Sequence, residues 1–122
     1  MIKAVVIPTS IKDKPYITEI KDYTSYYKII DCRTFDLVTL KETDSVSVDC
    51  YVDDEGILNN SDRNYYFQRA YDLGHIYQPL FGIGVITLTD NDSGESIDLD
   101  IPLVRKTLIE LGFTEQELKN IK

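Results

Sequence analysis

Between Ser45 and Val52 the chain alternates with a period of two: Val46, Val48, Cys50 and Val52 fall on one side, Ser47, Asp49 and Tyr51 on the other. Successive residues of a strand point to opposite faces, so this stretch predicts a sheet with one face on a core and the other wet. An exposed-and-buried sheet is stabilised by a layer of helices, which makes α+β the expected class. The remaining segments supply both layers. Lys3–Pro8 and Tyr16–Ile20 are rich in β-branched residues and flank a polar, turn-like stretch, so they are expected to pair as a hairpin. Thr34–Leu40 alternates ambiguously, whereas Phe81–Thr89 is the strongest strand of the chain and is expected to return through the polar loop Asp90–Glu95 along Ile97–Ile101.

Three helices follow from periodicity and capping. Asp22 is placed to cap a helix over Tyr23–Asp31, in which Tyr23, Tyr26, Tyr27 and Ile30 share one apolar face. Ser61 or Asp62 is placed to cap a second helix reaching Leu73, ended by Gly74; Pro102 opens a third through Leu111, ended by Gly112. Thr114 and Glu117 have the spacing of a capping box and Phe113 with Leu118 that of a hydrophobic staple, which predicts a further helix to the C-terminus. The expected order is β-β-α-β-β-α-β-β-α-α. It describes a single domain over residues 1–122: an α+β core (1–100) with a mostly antiparallel sheet and helices packed on one face, then a C-terminal helical hairpin (101–122).

Charge is partitioned along the chain. All 13 Lys and Arg lie outside two acid-only windows, Glu42–Asp62 with seven carboxylates and Asp90–Val104 with five, which together hold 12 of the 21. The windows sum to -12, and the remainder, 13 bases against nine acids, to +4. Such a balance opposes direct nucleic-acid binding, which rests on clustered Lys and Arg against phosphate. Lys12, Lys14, Lys21 and Lys28 form only a modest basic N-terminal region.

No chemical motif stands out. One His and two distant Cys do not make a zinc site. Asp90, Asp92 and Gly94 lack the spacing of a calcium loop, since Gly94 is fifth and Ile101 twelfth counted from Asp90. Gly82, Ile83 and Gly84 lack the third glycine of a dinucleotide fingerprint. Nothing in the spacing pairs His75 with Cys32, Cys50 or a serine as a nucleophile. The expectation is a protein without catalytic residues, metal or cofactor. No apolar run approaches the length of a membrane span, and a cytoplasmic location with reduced cysteines is expected.

Some residues resemble a known family. Lys14-Pro15-Tyr16, Glu19-Ile20, the segment Tyr51-Val52-Asp53-Asp54-Glu55-Gly56-Ile57-Leu58, then Asn64 and Ala70, and Gly82 to Val85-Ile86, resemble the domain of unknown function 3846, over about residues 3–100. The chain departs from that pattern at Asp31-Cys32-Arg33, where the family has a Gly-Gly-aromatic turn, and at Arg63, where it has a proline. The resemblance implies a small accessory product of phages or other mobile elements in a bacterial host cell, with no activity attached to it.

Two functional expectations result. In the first, Asp49, Tyr51, Asp53, Asp54, Glu55 and Asp62 present a negative surface to a basic protein partner of host origin, because a one-signed patch speeds encounter with opposite charge. In the second, Asn59, Asn60, Asn64, Tyr66, Gly82 and Gly84 line a pocket for a nucleotide-like small ligand. The remaining alternatives are an enzymatic role, which requires carboxylates converging in a pocket, and an inert charged surface. Oligomeric state is not readable from the sequence.

Overall fold

A computed structural model of the chain describes residues 2–55 and 63–122. Its strands are β1 (Ile2–Ile7), β2 (Tyr16–Ile20), β3 (Phe35–Glu42), β4 (Val46–Asp53), β5 (Gly84–Asp90) and β6 (Ser96–Ile97), and its helices are α1 (Thr24–Ile30), α2 (Tyr65–Asp72) and α3 (Ile101–Glu110). The strands form one antiparallel sheet in the order β2-β1-β5-β4-β3, with β6 on the far end of β5. The β1–β2 hairpin is as the sequence predicts and β4 stands where its alternation places it, but the face expected to be wet is covered: Ser47, Asp49 and Asp53 are buried and Tyr51 half-buried, because neighbouring strands and α1 pack over that side. The ambiguous stretch at 34–40 is a strand, with a bulge between Thr39 and Lys41.

Both faces of the sheet carry helices, which corrects the expectation of helices on one face. Val5 and Ile7, Val48, Cys50 and Val52, and Ile86 and Leu88 bury their side chains with Tyr66, Phe67 and Ala70 of α2 and Val104 and Leu108 of α3. The intervening residues Ala4 and Val85 point the other way and pack with Ile20 and with Tyr26 and Ile30 of α1. The apolar stripe of α1 needs a surface, and Tyr51 and Phe35 extend the one it covers: the Tyr26 and Tyr51 rings lie 4.2 Å apart. Of the three tyrosines expected inside on α1, Tyr26 is buried, Tyr27 half-buried and Tyr23 exposed.

Helix boundaries follow their hydrogen bonds. Tyr23, not Asp22, is the N-cap of α1; Asp22 accepts from the Thr24 N–H (2.9 Å) one position early. The expected caps of α2, Ser61 and Asp62, lie outside the described residues, and Asn64 caps this helix. Gly84 sits where α2 crosses β5: a Cβ there would lie 2.8 Å from the Phe67 ring and 2.9 Å from Cys50 Sγ, so close approach of the helix requires a glycine. Gly82, expected on the same strand, instead kinks the chain before it at φ 78°.

The C-terminal helical hairpin does not form. The capping box does, with Thr114 N–H donating to Glu117 Oε1 (2.9 Å) and Glu117 N–H to Thr114 Oγ1 (3.2 Å), yet only turns follow it. Arg105 of α3 donates to the carbonyls of Leu118 (2.7 Å) and Ile121 (2.6 Å), and Leu118 and Ile121 bury their side chains in the core. The tail is held by tertiary contacts in place of a helical ladder.

Candidate functional site

The first acidic window is split by the strand that carries it. β4 takes Asp49 and Asp53 from one end of the sheet toward the other, and seven steps from Val46 to Asp53 cover roughly 23 Å. Asp49 is 3% exposed and accepts from Thr39 Oγ1 (2.9 Å) and Thr89 Oγ1 (2.6 Å), tying β3, β4 and β5 side by side. Tyr51 is half-buried beneath α1. Asp53 is buried and accepts from the Glu55 N–H (2.9 Å), which shapes the turn after β4. Asp54 accepts from Thr34 Oγ1, and Glu55 accepts from Arg33 (3.2 Å) and Thr34 (3.3 Å). Asp62 lies outside the described residues. The five described residues of the six expected to form one partner surface are thus distributed among a strand ladder, an aromatic contact and a turn already matched by Arg33 and Thr34.

Burial and nearby carboxylates disfavour the thiolate of Cys32. Burial, then Asp53, Asp54 and Asp31, push Cys32 up to about 11, and burial pushes Cys50 up as well. Among the described residues no group of three His, Cys, Asp or Glu side chains is arranged to hold a metal ion.

At the opposite end the two acidic windows meet. Val46 pairs with Asp90, which brings the loop 43–45 against the loop 90–95. Asn91 joins them: its N–H donates to Ser45 O (3.0 Å), its Nδ2 to Thr43 O (2.9 Å), and its Oδ1 accepts from Ser47 Oγ (2.7 Å). Gly94, at φ 73°, lets the second loop fold back on Asp90 O (2.7 Å). On this platform Glu42, Asp44, Asp92 and Glu95 are exposed, Asp90 is half-exposed, and no Lys or Arg lies within either loop. The nearest base in sequence, Lys41, is on the other face and paired with Glu110 of α3 (2.8 Å). The later acids of the second window are structural: Asp98 accepts from the Lys3 N–H (2.7 Å), a bond that lowers its pKa, and Asp100 caps α3.

The residues expected to line a ligand pocket meet as well, in the interior. Asn64 is fully buried; its Oδ1 accepts from the Phe67 N–H (3.2 Å) and its Nδ2 donates toward the carbonyls of Ile7, Pro8 and Gly82 (3.1–3.2 Å). Tyr66 stacks on Phe113 and donates to Asp13 O (2.6 Å). Gly84 is filled by Phe67. Asn64, Tyr66 and Gly84 are thus engaged by the chain's own groups, and Gly82 supplies a carbonyl to Asn64; Asn59 and Asn60 lie outside the described residues. Sequence reasoning missed the functions of Asn91 and Thr34, since an Asn in a polar loop gives no sign of which distant loop it will clasp.

A family model, the domain of unknown function 3846, matches residues 2–110. The chain belongs to that family, and the match extends the resemblance through α3 to its end. Comparison with curated proteins and with solved structures finds no match. No helix among the described residues is long and apolar enough to cross a membrane.

Proposed function

We propose that this member of the domain of unknown function 3846 family is a non-enzymatic binding protein whose acidic platform, Glu42, Asp44, Asp90, Asp92 and Glu95, engages a basic protein partner of host origin. One observation carries the reading: Asn91 clasps the two loops, so carboxylates far apart in sequence share one surface, and among the described residues none of them is in a salt bridge. Fixed charges of one sign attract an oppositely charged partner over a Debye length and repel phosphate backbones, which favours a basic protein over a nucleic acid. The site is also displaced from the turn 53–55, whose charge is already answered by Arg33 and Thr34.

The test uses the full chain immobilised in cell lysate at low salt, with each captured protein then purified and its association rate measured. Changing Asp44, Asp92 and Glu95 together to lysine is expected to slow association at least roughly tenfold at low salt and far less at high salt. Changing Asp54 and Glu55 to lysine should leave the rate near that of the parent. Capture of no partner, or only of partners indifferent to salt and to the first triple change, ends the proposal.

A further inference from the structure

We infer that the basic partner is held as an extended strand added to the outer edge of β3, an inference that rests on the acidic-platform reading and gives it a binding mode. β3 is the last strand of the sheet on its side, and among the described residues no backbone group outside β4 bonds to it. The Leu37 N–H donates to the side chain of its own neighbour, Asp36 Oδ1 (2.8 Å), and so points away from β4. By the alternation of an antiparallel ladder, Phe35, Leu37 and Thr39 turn their backbone groups outward, up to the bulge beyond Thr39. An outward row of this kind, in which the Leu37 N–H is met only by the exposed side chain of its own neighbour, is a template for another strand.

Side chains beside this edge select what sort of strand fits. A cleft of about 460 Å³ runs along β3, lined by Val38, Leu40, His75, Ile76 and Tyr77, the last with its ring wholly exposed. An added strand would lay every second side chain toward this cleft, which suits apolar residues there. Exposed carboxylates stand at both ends of β3, Asp36 and Glu42, while Lys41, the one base of the strand, is engaged by Glu110. By the two-residue period Asp36 shares the face of Val38 and Leu40, and Glu42, past the bulge, lies on the other, so the complementary segment sets apolar residues toward the cleft and carries Lys or Arg on its opposite face and at the Asp36 end. β3 leads past the bulge through Glu42 into the loop 43–45, so a strand along this edge is aimed toward the acidic platform.

The probe is a short peptide alternating arginine with valine, added to the isotope-labelled full chain. The expected result is amide shifts at Leu37, Thr39, Ile76 and Tyr77 and slowed solvent exchange of the Leu37 and Thr39 N–H groups. N-methylation of every second peptide amide should weaken binding roughly tenfold, through loss of the hydrogen bonds along one edge. Leu37→Pro should do the same, since it removes an outward N–H and spares the ladder to β4; if that variant fails to fold, the comparison of the two peptides decides. Shifts confined to residues 42–45 and 90–95, with both peptides equal, would overturn strand addition and leave the platform reading standing. Doubling of mass through β3 would overturn it too, by making this edge a contact between copies of the chain. No binding of either peptide, beside capture of a salt-sensitive partner from lysate, likewise rejects strand addition alone; failure of both experiments removes both readings.

Discussion

Each end of the sheet is tied by an asparagine, and the two ends differ in what is left over. At the end where β1 stops and β5 begins, buried Asn64 joins α2 to three carbonyls, and the nearby carboxylates Asp53, Asp54 and Glu55 are answered by a backbone N–H, Thr34 and Arg33. At the other end, exposed Asn91 joins two loops, and Glu42, Asp44, Asp92 and Glu95 face water. The first arrangement consumes its polar groups in stabilising the fold. The second organises charge without neutralising it. A run of acids in a sequence is therefore a poor guide to an acidic surface: Asp53 to Glu55 form the densest run and the better-compensated one.

The sharpest way to break this contrast is Asn64→Ala. Loss of a helix cap and of the donors to buried carbonyls is expected to cost about 3 kcal/mol, seen as a lower urea midpoint with an unchanged slope. A loss no larger than that of an ordinary surface substitution would show that this end is not the structural one. The aromatic contact beneath α1, between the two ends, should be sensitive to alkali. Burial, then the neighbouring Tyr51, push Tyr26 up to about 12, so folding favours its neutral form. Stability from this source is complete below the ordinary tyrosine pKa of about 10 and is lost as pH rises through about 12, which urea titrations at stepped pH will follow. Asn91→Ala should cost about 1–2 kcal/mol and speed amide exchange in 43–45 and 90–95 while leaving α2 protected. Arg33→Ala is expected to change stability by less than about 0.5 kcal/mol, because its side chain is 79% exposed and the pair is screened by water. A larger effect at Arg33 than at Asn91 would reverse the assignment of the two ends.

Much of this fold is legible in the residues themselves. The period of two in β4 and the spacing of the β1–β2 hairpin are local properties, and both elements stand where those properties place them. The errors occur where a local signal has two tertiary outcomes. Thr114 and Glu117 make their capping box in either case, but the residues after it are held by Arg105 and by burial of Leu118 and Ile121. The stripe of α1 shows that one side is buried without showing against which face of the sheet. Asn64 carried the features of a polar binding residue, and its burial beside Ile7, Pro8 and Gly82 makes it a structural one.

By itself the sequence determined the class, most of the elements and the segregation of charge, because periodicity, capping and composition act over a few residues. Only the tertiary structure decided that helices cover both faces and that residues 42–45 join 90–95 while 53–55 stand apart. The reason is register. β4 and β5 pair antiparallel with Val46 opposite Asp90, and a pairing between distant segments is chosen by how whole faces pack, a quantity no short stretch contains.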